Sequence, residues 1–158
     1  MTQIDYVTTG IIVSQEAKFN LDDFYSVMKK WCSNHRYLIK EKEYADKGNG
    51  NFYIRWETRK EVYDYNAFEI DLTIRGKNIQ KIDDSKEGLV EGKIEVEFES
   101  FMESDYHQKW SEPIRQFLRD VYDKFIRGNK TEEIKQELID ETYDLVNKTR
   151  SYLRQHAF

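Results

Sequence analysis

Carboxylates recur at every second residue in two stretches of this sequence. Glu69 and Asp71 sit in Ala67-Phe-Glu-Ile-Asp-Leu-Thr-Ile-Arg75, and Glu95, Glu97 and Glu99 in Lys93-Ile-Glu-Val-Glu-Phe-Glu99. A period of two belongs to a strand, whose successive side chains point to opposite faces. The acids therefore share one face, and Phe68, Ile70, Leu72, Ile74, Ile94, Val96 and Phe98 share the other. If the two strands are neighbours, facing carboxylates stand ~5 Å apart, a spacing that suits Mg²⁺ or Ca²⁺. Glu69, Asp71, Glu95 and Glu97 are thus the metal-ligating candidates, and a metal-dependent hydrolase is the enzyme they would serve, given a cleft. The competing reading is a solvated face. Glutamate fills outward position after outward position without singling one out, and Arg75 and Lys93 are at hand to neutralise it. That reading is preferred, so no catalytic residue is assigned and no cofactor is expected.

A second set is aromatic and basic: Tyr53, Arg55, Arg59, Tyr63 and Tyr65, on or near the wet side of the same strands. Tyrosines beside arginines on a sheet can stack single-stranded RNA. Charge argues against it. Residues 61–105 carry thirteen acidic and five basic side chains, a net of −8 that leaves +3 for the rest of a chain whose total is −5. Such a region repels a polyanion. Protein recognition fits the set better, and Tyr53, Arg55, Tyr63 and Tyr65 are joined as interaction candidates by His107 and Trp110. The last two lie in Asp105-Tyr-His-Gln-Lys-Trp110, a polar and aromatic hinge between sheet and helix.

Cys32-x-x-His35 has a metal-ligand spacing, but a structural zinc takes four ligands and Cys32 is the one cysteine. Its place in an apolar helical stripe marks it as a core thiol. The phosphate-loop, dinucleotide, nucleophile-elbow and zincin motifs are absent.

At 158 residues, with 39% hydrophobic and 35% charged side chains, the composition is that of a soluble globular chain forming one domain over residues 1–158. One proline and seven glycines leave little for a tether between domains. The single cysteine rules out an internal disulfide. The amino terminus shows no basic leader ahead of an apolar core, so cytoplasm is the expected compartment and no membrane partner is expected.

The elements follow from periodicity. Residues 2–13 read as a strand, and Asn20 as the N-cap of a helix ending near Asn34 or His35. Residues 36–44 read as a strand, Asp46 to Asn51 as a hairpin turn, and Phe52, Ile54 and Trp56 as the inward side of the next strand. A turn or bulge is expected at residues 64–66. Gly76 to Asn78 is expected to close the strand that follows, and residues 78–91 fit either an edge hairpin or a loop. Beyond Asp105 the spacing becomes helical, with Pro113 in a first turn and Gly128 as a stop. Thr131 then caps a last helix carrying Ile134, Leu138, Ile139, Leu145, Val146, Tyr152 and Leu153. The expected fold is α+β: an antiparallel sheet of four to six strands with an N-terminal strand–helix unit and two C-terminal helices packed on one face.

Several stretches together carry a resemblance. Asp64-Tyr65 leads into Phe68-x-Ile70-x-Leu72, and Gly92-Lys-Ile-Glu95 opens a strand. Asp105-Tyr106 runs on to Trp110, and Phe117-Leu-Arg-x-x-Tyr122-x-Lys-Phe125 lies on a helix. Over residues 20–155 this resembles a group of small, mainly archaeal α+β proteins with no assigned activity. The resemblance implies a single domain and a cytoplasmic setting, and supplies no site residue. The function expected is a non-enzymatic protein-interaction module, with a protein partner or self-association. The alternatives are a small apolar ligand held between sheet and helices, and the metal-dependent hydrolase.

Overall fold

The computed structural model describes residues 3–62, 66–82, 88–104 and 128–157. Five strands, β1 (Gln3–Asn20), β2 (Leu38–Gly48), β3 (Asn51–Glu61), β4 (Asn66–Lys81) and β5 (Leu89–Ser104), form one sheet. Their order is β1-β5-β4-β3-β2, and every neighbouring pair is antiparallel. The strand with the strictest alternation, β4, is therefore the central one. Ile54 and Trp56 of β3, Phe68, Ile70, Leu72 and Ile74 of β4, and Ile94, Val96 and Phe98 of β5 are all buried on one face. Burying each such side chain contributes about 1.5–3 kcal/mol over leaving it in water.

Two described helices cover that face, α1 (Leu21–Asn34) and α2 (Gly128–Gln155). Asn20 caps α1, its side-chain oxygen accepting from the Asp23 amide at 3.0 Å, with Asp22 and Asp23 complementing the dipole. Phe24, Met28, Trp31 and Cys32 turn inward at helical spacing. The helices run antiparallel and are tied along their length. Tyr152 Oη donates to Asp23 (2.9 Å), Trp31 Nε1 donates to Asp144 (2.7 Å), and Thr149 Oγ1 lies 3.1 Å from the Met28 sulfur. Ile134, Leu138, Leu145, Val146, Tyr152 and Leu153 are buried as the spacing requires, while Ile139 is half-buried. Thr142 and Thr149 complete the stripe, their hydroxyls donating to carbonyls one turn back at 2.7 and 2.9 Å. Among the described residues no helix is long and apolar enough to cross a membrane.

Several boundaries differ from those the sequence suggests. β1 runs seven residues further, because Ala17 and Phe19 continue the inward phase and pair with β5. Arg36, at φ 67, turns the chain, so β2 starts at Leu38 and extends to Gly48. β4 is not closed by Gly76–Asn78: Asn78 adopts φ 53, the ladder shifts register between Lys77 and Gln80, and pairing resumes. An asparagine tolerates that left-handed backbone, so the irregularity becomes a bulge rather than an end. Gln80 and Lys81 then pair with Glu91 and Val90, which makes residues 79–82 and 88–91 the arms of a hairpin. α2 begins at Gly128, ahead of Thr131, and its 28 residues span about 42 Å. The helix expected over residues 111–126, and the turn or bulge at residues 64–66 apart from Asn66 itself, lie outside the described residues.

Cys32 is fully buried, and burial pushes its thiol up to about 12. Iodoacetamide at pH 8 is therefore expected to leave the folded protein unlabelled and to label it quantitatively in denaturant. Rapid native labelling would place Cys32 outside the core.

Candidate functional site

The outward face of the sheet carries rows of charge set by strand register. Glu57, Asp71 and Glu99 stand opposite one another across β3, β4 and β5. Arg59, Glu69 and Phe101 form the adjacent row, and Arg55, Thr73 and Glu97 the row on the other side. Glu57, Glu69 and Asp71 can each bring one carboxylate oxygen within 4.8 Å of the other two. Two arginines and a lysine flank this group, with Lys42 lying 3.4 Å from Glu57. Arg55 reaches Glu57 and Asp71 at 3.9 Å each, while Arg59 reaches Glu69 at 3.8 Å and bonds to Glu103.

With Glu99 opposite Asp71 and Glu103 sharing Arg59, five carboxylates face the three cations Lys42, Arg55 and Arg59. Burial raises the Glu69 carboxyl to about 8, helped by Asp71 and Glu57 and opposed by Arg59. Burial raises Asp71 as well, with Glu57 and Glu99 adding to it. The buried Oδ1 of Asp71 meets no N–H or hydroxyl donor among the described residues. A proton carried by Glu69 and shared with Asp71 does the work of a missing cation.

Of the four metal candidates, the fold brings Glu69 and Asp71 together and separates Glu95 and Glu97 from them. Glu97 is held by Arg75 at 3.2 Å and Glu95 by Lys77 at 3.3 Å. The residue that joins Glu69 and Asp71 is Glu57, which sequence reasoning passed over although its odd-numbered place in the β3 alternation puts it outward. Tyr53 and Arg55 lie on the same face. Tyr53 is half-buried beneath cations, with Lys47 Nζ 5.6 Å and Arg75 Cζ 5.7 Å from its ring centre. Tyr63, Tyr65, His107 and Trp110 lie outside the described residues.

On the helix-covered face, a second charged group was also missed. Lys60 donates to both oxygens of Glu141, at 2.6 and 2.9 Å, and Tyr37 Oη donates to the same carboxylate at 2.5 Å. The Lys60 and Glu141 side chains are only 12% and 18% exposed, and the ammonium lies 4.8 Å from the Tyr37 ring centre. Burial and Glu141 together raise the Tyr37 phenol far above its ordinary range. Two signals marked this group: Lys60 continues the inward phase of β3, and Glu141 falls between Leu138 and Leu145 on the buried stripe of α2. His35 stacks on Trp31 at 4.0 Å instead of joining Cys32 as a ligand.

The space between the layers is filled by Trp31, Trp56, Phe68 and Phe98. A cavity of about 570 Å³ touches both layers at their margin, between Lys29 and Ser33 of α1 and Leu38, Ile39 and Trp56 of the sheet. No protein-family model matches this chain, and no curated protein matches it.

Proposed function

We propose that this protein is a non-enzymatic interaction module whose outward sheet face receives a cationic segment of a protein partner. The carrying observation is the carboxylate row Glu57–Asp71–Glu99, with Glu69 beside it holding a proton for want of positive charge. A lysine or arginine laid across this row displaces that proton and neutralises carboxylates already partly desolvated, so the desolvation cost of binding is lowered in advance. Tyr53 and Phe101 supply aromatic surface at either side of the row. Two copies meeting face to face would set acid against acid, which favours a different partner over self-association.

An octalysine peptide titrated into isotopically labelled protein tests this. Saturable amide shifts confined to Arg55, Glu57, Glu69, Asp71 and Glu99 are expected, and Asp71→Asn with Glu99→Gln should weaken them. Shifts spread equally over the exposed acids of α2, such as Glu133 and Asp140, would reduce the effect to general charge and defeat the proposal.

The second reading is a divalent-cation site, favoured by the mutual closeness of Glu57, Glu69 and Asp71. It uses the same carboxylates with a metal in place of the lysine.

A further inference from the structure

The other end of the outward face gathers Lys47, Arg75 and Lys77 around a cavity of about 380 Å³ where the β2–β3 hairpin meets the bulge of β4. Among the described residues its lining is Lys47, Arg75, Lys77, Tyr53, two asparagines and the Phe52–Gly76 pair, with no carboxylate; the Phe52 ring itself lies on the opposite face, packed against the core. The cavities around Arg36 differ, since each mixes its cations with glutamates. We propose that this cavity binds a small aryl anion, a carboxylate or phosphate ester carried on a planar ring.

Three features argue for that chemistry. First, the floor is fixed by backbone requirements rather than by side-chain chance. A Cβ at Gly76 would come within 2.1 Å of the Phe52 ring, so that ring lies against the inner side of the β4 backbone and supports the floor from beneath. A Cβ at Gly50 would come within 2.3 Å of the Ile79 carbonyl, and Gly50 itself needs φ 78. The Asn78 amide donates to Asn51 Oδ1 at 3.1 Å, which locks hairpin to bulge.

Second, the cations are held in place around an aromatic surface. Glu97 and Glu95 hold Arg75 and Lys77 from β5, at 3.2 and 3.3 Å, and Arg75 Cζ lies 5.7 Å from the Tyr53 ring centre. Lys47 sits 5.6 Å from the Tyr53 ring centre. A planar ring entering the cavity meets Tyr53, while a charge at its edge meets Lys47. Third, the wall is more apolar than polar, so a bare inorganic anion leaves it unfilled. A volume at the lower end of the usual ligand range suits one ring with one or two substituents.

Phenyl phosphate, benzoate, inorganic phosphate and benzyl alcohol, titrated separately into labelled full-length protein, test the proposal. Phenyl phosphate or benzoate should bind saturably, with Kd on the order of millimolar or tighter. The shifts should centre on Tyr53, Gly76, Lys77 and Asn78, and the tighter of the two names the headgroup. Lys47→Gln should weaken that binding roughly fivefold or more, as should raising NaCl from about 50 to about 250 mM. Lys18→Gln, on β1, should leave it unchanged. Equal binding of benzyl alcohol would overturn the charge requirement, and equal binding of inorganic phosphate the aryl requirement. Shifts that fail to saturate, or that survive Lys47→Gln and Arg75→Gln intact, would overturn the site. Because the octalysine experiment reads the acidic rows, its failure and the failure of this cavity are separate results.

Discussion

Replacing Glu141 with alanine is expected to lower the melting temperature by roughly 6–20 °C. The carboxylate holds Lys60 and the Tyr37 hydroxyl at the junction of β3 and α2, where Lys60 is 12% exposed. Truncating it strands a desolvated ammonium and a buried donor together. Removing one member of a buried pair in this way costs about 3–5 kcal/mol, and each kcal/mol moves the midpoint of a domain this size by about 2–4 °C. The sharper test is recovery. Lys60→Met combined with Glu141→Gln keeps an acceptor for Tyr37 and removes both charges, so urea unfolding should find it far closer to the parent than Glu141→Ala. A loss below about 1 kcal/mol in the single variant would mean the pair behaves as a solvated surface bridge.

The second large effect has the opposite sign. Glu69 carries a proton in the folded protein up to about pH 8, whereas in the unfolded chain it titrates near 4.5. The folded state therefore binds more protons through that window, and stability falls as pH rises from about 5 to about 8. Asp71 is shifted in the same direction and deepens the decline. Glu69→Gln makes the neutral state permanent. At pH 8.5 it should raise stability by roughly 1–3 kcal/mol, while at pH 4 it should change little. Thermal unfolding across pH 4–9 reads both ends of the curve, and a variant that is less stable at pH 8.5 would sink the shared-proton account. The same series decides between the two readings of the acidic face. Saturable stabilisation by Mg²⁺ or Ca²⁺ at pH 8.5, abolished by Asp71→Asn, would favour the metal over the cationic partner.

How far the fold could be read from sequence depended on whether side-chain phase alone decided a question. Phe68 through Ile74 and Ile94 through Phe98 alternate without a break, so their burial and the acidic outer face were legible. Asn20 could be identified as a cap because its chemistry is local. The continuation of β1 through Ala17 and Phe19 was hidden, since Gln15, Glu16 and Lys18 dilute the pattern and the stretch is fixed by pairing with distant Gly92 and Val90. Asn78 looked like an end because a turn residue and a bulge residue have the same conformational taste. The cluster failed differently. Glu57 joins Glu69 and Asp71 only through cross-strand register, which one sequence does not state. Lys60 and Glu141 were visible as charges in apolar phase, but pairing them requires knowing which strand lies under α2.

The neighbour of β1 in the sheet is β5, which joins Gln3 to Ser104 although nearly the whole sheet lies between them in sequence. The strand made early therefore finds its place late. At translation rates of about 5–20 residues per second, the nascent β1 waits about 5–20 seconds before its partner has been synthesised. The hairpins β2–β3, β3–β4 and β4–β5 close over short loops and can form meanwhile. Throughout that delay Tyr6 to Gln15, ten residues without a charge, carries an open β-prone backbone. β2, at the far edge of the finished sheet, bears Lys40, Glu41, Lys42 and Glu43, which discourage foreign strands. Within β1 the stretch from Tyr6 to Gln15 has no such charges and is interrupted only by the irregular pairing around Gly10, so the window for misassembly opens at the ribosome and closes when β5 arrives.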